Sequence, residues 1–246
     1  MSRPEQSWRG SSTRPWIARW AKSRYDAPMP VRRRPILLLD LDGTLVDPAE
    51  GILGSCRHAM ARMGRPLGEG EDLRWIIGPP IRQSFATLLD GQGDAEEAVR
   101  HYRERYSEWG LTAARPYEGV AEVLAARRQR GDRLFVCTAK AAVFAERVVR
   151  HFGFDHLLEG VYGPDLDGRL EDKAELIAHL ISREGLAPGD VCMVGDRRHD
   201  VLAASRNGVP TVGVLWGYGG REELSAAGAQ AIIARPVELL DQDGST

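Results

Sequence analysis

A chain of 246 residues can build one full domain with a modest insert, and 43% hydrophobic with 28% charged content is ordinary for a globular protein. A formal net charge of −2 argues against a protein that binds nucleic acid or a membrane with its whole surface, and no apolar run approaches the roughly 20 residues of a membrane-spanning helix. Three scattered cysteines without CxxC spacing and six histidines without a ligand spacing argue against a disulfide framework or a zinc site; reduced thiols in a cytoplasmic protein are expected.

Residues 1–34 differ from the rest, with nine Lys or Arg set against Glu5 and Asp26 and three Trp between them. Such an acid-poor, Arg- and Ser-rich leader is similar to an organelle transit peptide, and Arg interleaved with Trp suits anionic partners. The plainer expectation is a disordered basic extension, or upstream sequence translated from too early a start, since Met29 lies just before the first strand.

Residues 35–39, Pro-Ile-Leu-Leu-Leu, read as a strand buried on both faces, and they run into Asp40-Leu41-Asp42-Gly43-Thr44. Carboxylates two residues apart on an extended path share a side, so Asp40 and Asp42 are able to address one ligand, and Gly43 permits a sharp turn. Residues 51–112 read as helices, with apolar positions at three-and-four spacing from Ile52 to Met63, a break at Gly78-Pro79-Pro80, a helix over 81–89 and another over 95–109 capped by Asp94. A helical block directly after the first strand predicts a small all-helical cap over 51–112, with the catalytic core in 35–50 and 113–246.

From Pro116 onward helices and strands alternate, with strands at 133–137, 160–162, 191–194, 211–214 and 231–234. That alternation specifies an α/β fold, a doubly wound parallel (Rossmann-like) sheet. Ligands of such sheets bind beyond the carboxyl ends of the strands, where this chain carries Asp40 and Asp42, then Thr138, then Lys173 at a helix start, then Asp196 and Asp200. One pair of like charges at 4 Å costs about 4 kcal/mol at an effective dielectric near 20. A cluster of carboxylates therefore calls for a cation, and an all-oxygen donor set favours Mg²⁺.

The order strand-DxDGT, strand-T, K, strand-GDxxxD resembles the haloacid dehalogenase superfamily, and the resemblance covers nearly all of residues 35–240. It implies Asp40 as the nucleophile that forms an aspartyl-phosphate, Asp42 as general acid and base, and Thr138 with the Ala139 amide as phosphate-binding groups. It further implies Lys173 as the neutralising cation, and Asp40, the Asp42 carbonyl, Asp196 and Asp200 as the Mg²⁺ site. Asp42 separates a phosphatase from the dehalogenases and ion-pumping ATPases of the superfamily, which lack a carboxylate there.

The position of the helical insert resembles the branch that includes phosphoglycolate phosphatase and beta-phosphoglucomutase. Ile77-Gly78-Pro79-Pro80, Asp165-Leu166-Asp167-Gly168-Arg169 and Leu215-Trp216-Gly217-Tyr218-Gly219 resemble a 5'-nucleotidase-like subgroup. The subgroup's usual Thr-Ser-Lys-Pro is here Thr138-Ala139-Lys140-Ala141, which keeps the amide and loses a hydroxyl. The implied substrate is a nucleoside monophosphate or another small phosphorylated metabolite, handled by a monomer or homodimer; a phosphomutase or a catalytically idle regulator acting through the basic tail are the alternatives. For specificity, Arg82 in the lid and Lys140 on the core are the candidate cations, and Trp75 and Phe85 the candidate stacking partners.

Overall fold

The apolar run after Pro35 becomes strand β1 (Ile36–Leu39), whose four residues are all buried. Alternation divides their side chains: Leu37 and Leu39 enter one hydrophobic cluster, Ile36 and Leu38 another. A strand apolar on both sides demands cover on both faces. The computed structural model describes residues 35–68 and 70–242, so the expected basic extension at 1–34 lies outside the described residues.

After β1 come β2 (Val46–Asp47), α1 (Ala49–Arg62), α2 (Ile81–Leu89), α3 (Ala95–Arg105), β3 (Arg115–Pro116), α4 (Val120–Gln129), β4 (Arg133–Cys137) and α5 (Ala142–His151). The chain continues with β5 (Gly160–Tyr162), α6 (Lys173–Glu184), β6 (Val191–Gly195), α7 (Arg198–Ser205), β7 (Thr211–Val214), α8 (Arg221–Ala227) and β8 (Ala231–Ile233). Six strands form one sheet in the order β5-β4-β1-β6-β7-β8, every neighbouring pair parallel. Leu38 lies in register with Phe135 of β4 on one side and Met193 of β6 on the other. Helices α4 and α5 give Val123, Leu124, Val148 and Val149 to the first cluster, while α6 and α7 give Leu176, Ile177, Leu180 and Ala204 to the second. This is the doubly wound α/β sheet, and its strand order changes direction at β1, where such folds open a crevice.

Between Asp47 and Arg115 the described residues hold helices and turns but no strand of the main sheet. Phe85 of α2 meets Tyr102 of α3 edge-on at 5.9 Å. The helix expected over 95–109 stays α-helical only to Arg105 and then widens into a π-turn, Tyr106–Gly110. The widening coincides with a backbone contact against α1, where a Cβ on Gly51 would lie 1.9 Å from the Gly110 carbonyl oxygen. Strands β2 and β3 pair antiparallel at the two ends of this block, Val46 opposite Pro116 and Asp47 opposite Arg115. The ribbon was invisible in the sequence because two residues carry no periodicity.

At the amino end of the sheet, Asp132 directly precedes β4 and receives Nη1 of Arg127 from α4 at 2.8 Å. Arg127 is 1% exposed and also donates to the carbonyls of Leu239 and Gln242. Cys56 and Cys137 are buried, Cys192 is half-buried, and all three are free thiols. No described helix is long and apolar enough to cross a membrane.

Candidate active site

At the carboxyl end of β1 the backbone N–H of Asp40 still donates to the Val194 carbonyl of β6 at 2.9 Å, which fixes where its side chain starts. The chain then turns through Gly43 at φ 86°, and a Cβ there would lie 2.2 Å from Oδ2 of Asp196. Glycine is thus required both for the turn and for the approach of the next strand's carboxylate. Asp196 follows from the end of β6 and Asp200 from the first turn of α7, where it caps the Arg197 N–H at 3.0 Å.

Asp40, Asp196 and Asp200 each bring a carboxylate oxygen within 4.8 Å of the others, and all three residues are buried. Lys173, the first residue of α6, reaches Asp40 at 2.8 Å and Asp200 at 2.5 Å. One ammonium among three carboxylates leaves the cluster short of positive charge. Burial, then Asp200 and Asp40, hold the Asp196 carboxyl well above the usual carboxylate range. Burial pushes Asp200 up to about 6 against the pull of Lys173. Lys173 in turn has its pKa raised by Asp200 and Asp40 despite burial. Oδ2 of Asp196 accepts the Tyr218 N–H at 2.7 Å, but its Oδ1 is buried without a hydrogen-bond partner. An orphaned anionic oxygen inside an all-oxygen donor set fits a hard divalent cation.

Asp42 lines the same cleft as Asp40, but its carboxylate is not one of the three clustered acids, and Lys140 holds it at 2.8 Å. Burial raises the Asp42 carboxyl and Lys140 opposes the shift. Lys140 itself is held above its ordinary pKa by Asp42, burial notwithstanding, and its Nζ also meets the Tyr106 hydroxyl at 2.8 Å. Thr138, 1% exposed at the end of β4, accepts the Lys140 N–H at 3.3 Å.

Asp40, Asp42, Thr138, Ala139 and Lys140 line one cleft, which encloses about 690 Å³ including its open mouth. Its walls on the helical side include Ile52, Ile76, Ile81 and Tyr102. Three expectations about the lid need correction. Arg82 is not a lining residue: Glu96 and Glu171 engage it from two sides, Glu171 at 2.8 Å, so its charge is spent on ion pairs. Phe85 is wholly buried against Tyr102, and Trp75 is 39% exposed and does not line the cleft, so neither is placed for stacking there. Sequence reasoning missed Arg103 and Tyr106, which do line it. Their signal was available only in part: Val99, Tyr102 and Tyr106 recur at helical spacing, but nothing in the chain distinguishes Arg103 from Arg100 or Arg105.

The loop after β7 closes the site from the far side. Trp216 Nε1–H donates to the Thr44 carbonyl at 3.0 Å, and the Tyr218 hydroxyl donates to Asp47 of β2. A Cβ on Gly217 would lie 2.3 Å from the Gly43 carbonyl oxygen and 2.4 Å from Asp196.

The sequence model of the haloacid dehalogenase-like hydrolases matches residues 37–214. A 5'-nucleotidase of Pseudomonas aeruginosa is 47% identical over 195 residues, 79% of this chain and 88% of that one. The tyrosine-protein kinase PtkA of Mycobacterium tuberculosis is 39% identical over 193 residues, 78% of this chain and 66% of that one. Among solved structures, a predicted phosphatase from Clostridium acetobutylicum superposes with a TM-score of 0.81 at 32% identity, covering 85% of this chain and 97% of that one.

Proposed function

The chain belongs to the haloacid dehalogenase-like hydrolases and is a phosphoric monoester hydrolase, and we propose that it is a Mg²⁺-dependent 5'-nucleotidase working through an aspartyl-phosphate. The observation that carries this reading is the convergence on one cleft of Asp40, Asp42 and Thr138, with Lys173 bridging Asp40 and Asp200. A carboxylate oxygen of Asp40 attacks phosphorus, and the bond to the leaving alcohol oxygen breaks as Asp42 gives that oxygen its proton. Asp42, now a carboxylate, takes a proton from the water that attacks the phosphoryl group, and the bond to Asp40 breaks to release inorganic phosphate. Burial shifts the Asp42 carboxyl upward, the direction a general acid needs, and Lys140 at 2.8 Å fixes its orientation.

Thr138 and the Ala139 amide bind the phosphoryl oxygens, and Lys173 offsets their charge together with that of Asp40. Asp40, the Asp42 carbonyl, Asp196 and Asp200 would hold Mg²⁺, which supplies further neutralisation of the phosphoryl oxygens. Residues 51–112 act as the cap that excludes water from this chemistry. The identity to a 5'-nucleotidase supports nucleoside monophosphates as substrates, ahead of phosphoglycolate. Free cysteines support a cytoplasmic setting. The test is phosphate release from AMP, UMP, phosphoglycolate and beta-glucose 1-phosphate, with and without Mg²⁺. The nucleotides should be turned over fastest and only with the metal; preference for the sugar phosphate would overturn the nucleotidase reading.

A further inference from the structure

Lys140 stands in the loop between β4 and α5 with its side chain 5% exposed, and its Nζ lies 2.8 Å from Oδ2 of Asp42 and 2.8 Å from the Tyr106 hydroxyl. The other carboxylate oxygen of Asp42, Oδ1, is buried and has no hydrogen-bond partner among the described residues. The two oxygens of this one side chain are therefore unlike. An ammonium only donates, so the oxygen it holds must accept, and a proton on the carboxyl group has to sit on the other oxygen. Oδ1 is the atom left to carry it.

The three groups come from three places in the fold. Asp42 follows β1, Lys140 follows β4, and Tyr106 opens the π-turn after α3. Lysine is a compact charge on a flexible four-carbon stem, so one carboxylate does not define where its ammonium rests. A second acceptor held in a fixed place does. Tyr106 is 1% exposed; its ring stacks on Tyr102 of α3 with centroids 5.4 Å apart and meets Phe144 of α5 edge-on at 5.5 Å. Rings on both sides set its hydroxyl where it accepts from Lys140.

We propose that Lys140 and Tyr106 are positioning residues for proton transfer: Lys140 binds Oδ2 of Asp42 so that Oδ1 gives its proton to the leaving oxygen, and Tyr106 keeps Lys140 in place. The inference rests on the reading of Asp42 as proton donor and names the residues that aim it. As Asp40 bonds to phosphorus and the bond to the leaving oxygen breaks, the proton on Oδ1 passes to that oxygen. The charge that develops on Asp42 then faces an ammonium already in position. When water attacks the phosphoryl group, the same Oδ1 takes a proton from it, and the bond to Asp40 breaks.

The experiment compares kcat/KM for p-nitrophenyl phosphate and benzyl phosphate, with AMP as a second alkyl ester, in wild type, Lys140→Met, Tyr106→Phe and Asp42→Asn. The first two esters each carry one ring, but p-nitrophenolate departs without a proton and an alkoxide does not. The ratio of aryl to alkyl ester is read on one preparation, so any loss of folded protein cancels, and kcat/KM covers the steps up to departure of the alcohol. Loss of a placed general acid costs about a hundredfold or more for the ester that needs it, so Asp42→Asn should raise the ratio by that amount. Lys140→Met should raise it about tenfold, since the acid is present but unaimed. Tyr106→Phe keeps the ring and should fall between wild type and Lys140→Met. A ratio that Lys140→Met leaves at the wild-type value while Asp42→Asn raises it overturns the inference, and the proton-donor reading stands. A ratio that no variant moves overturns both. A higher KM for every ester in Lys140→Met with the ratio unmoved would make Lys140 a phosphate-binding group and overturn the positioning role. A ratio raised in Lys140→Met but not in Tyr106→Phe overturns the part given to Tyr106.

Discussion

Two buried charge clusters stand at opposite ends of the sheet, and their contrast separates architecture from chemistry. At the amino end Arg127 meets one carboxylate, Asp132, and two backbone carbonyls, all within the protein. At the carboxyl end three clustered carboxylates face one ammonium, Lys173, which bonds Asp40 and Asp200, and an oxygen of Asp196 has no partner. Both clusters pay for desolvation. The first balances one guanidinium against one carboxylate within the protein, although Nε of Arg127 has no partner, whereas the second holds more negative charge than its own residues offset. Burial alone therefore does not mark a functional charge; an imbalance that the fold leaves open does.

The sharpest way to test that division is to alter one residue at each end. Asp40→Asn keeps the shape of the rim and should lower phosphatase turnover by about a thousandfold or more, with folding intact by circular dichroism, because a nucleophile is lost. Retention of more than a few per cent of activity would falsify the covalent mechanism. Arg127→Met should behave in the opposite sense. It strands Asp132 in the interior, at a cost of about 3 to 5 kcal/mol, or a melting point lower by roughly 10 °C for a chain of this size. The kcat of the fraction that stays folded should be unaffected; a stable Arg127→Met protein would mean the amino-end pair is as dispensable as a surface one.

The smallest effect tests the imbalance itself. Asp200 has a folded pKa of about 6 against an ordinary 3.8, and Asp196 is raised as well. In that window the folded state keeps protons that the unfolded chain has released. The contribution of these two acids to the stability of the metal-free protein should therefore be fully present below the ordinary value and be lost as pH rises through about 6. Saturating Mg²⁺ should flatten that slope and add about 2.7 kcal/mol at a hundredfold excess over Kd, with NaCl at matched ionic strength as the control. Melting curves whose pH slope is unchanged by Mg²⁺ would show that the three carboxylates do not act as one site.

The core and its strands were legible because a doubly wound sheet writes itself in alternation: Ile36 to Leu39, Arg133 to Cys137 and Val191 to Val194 are apolar runs ended by polar residues at one rim. The residues at that rim were legible for the same reason, since a strand end fixes position along the chain and in space together. What the sequence did not disclose are distances set by tertiary packing. Asp42 meets Lys140, and Arg82 is paired with Glu171, which is 89 residues away. Whether a helical arginine faces a cleft or a carboxylate depends on which neighbours the fold brings, and helical spacing in α2 and α3 carries no record of them. The π-turn at Tyr106 is similarly silent, since its residues would serve equally well in an α-helix.

The loop from Trp216 to Tyr218 joins two matters that a lineage would otherwise adjust separately. Through its backbone, Tyr218 orients Asp196; through its hydroxyl, it holds the ribbon strand that leads into the helical block. Gly217 leaves no room for a side chain between Asp196 and the Gly43 carbonyl. A heritable change in this loop therefore alters affinity for the cation and posture of the helical block in one step. Arg103 on α3 lines the same cleft without bonding any of the three clustered carboxylates, so a change there leaves this coupling in place.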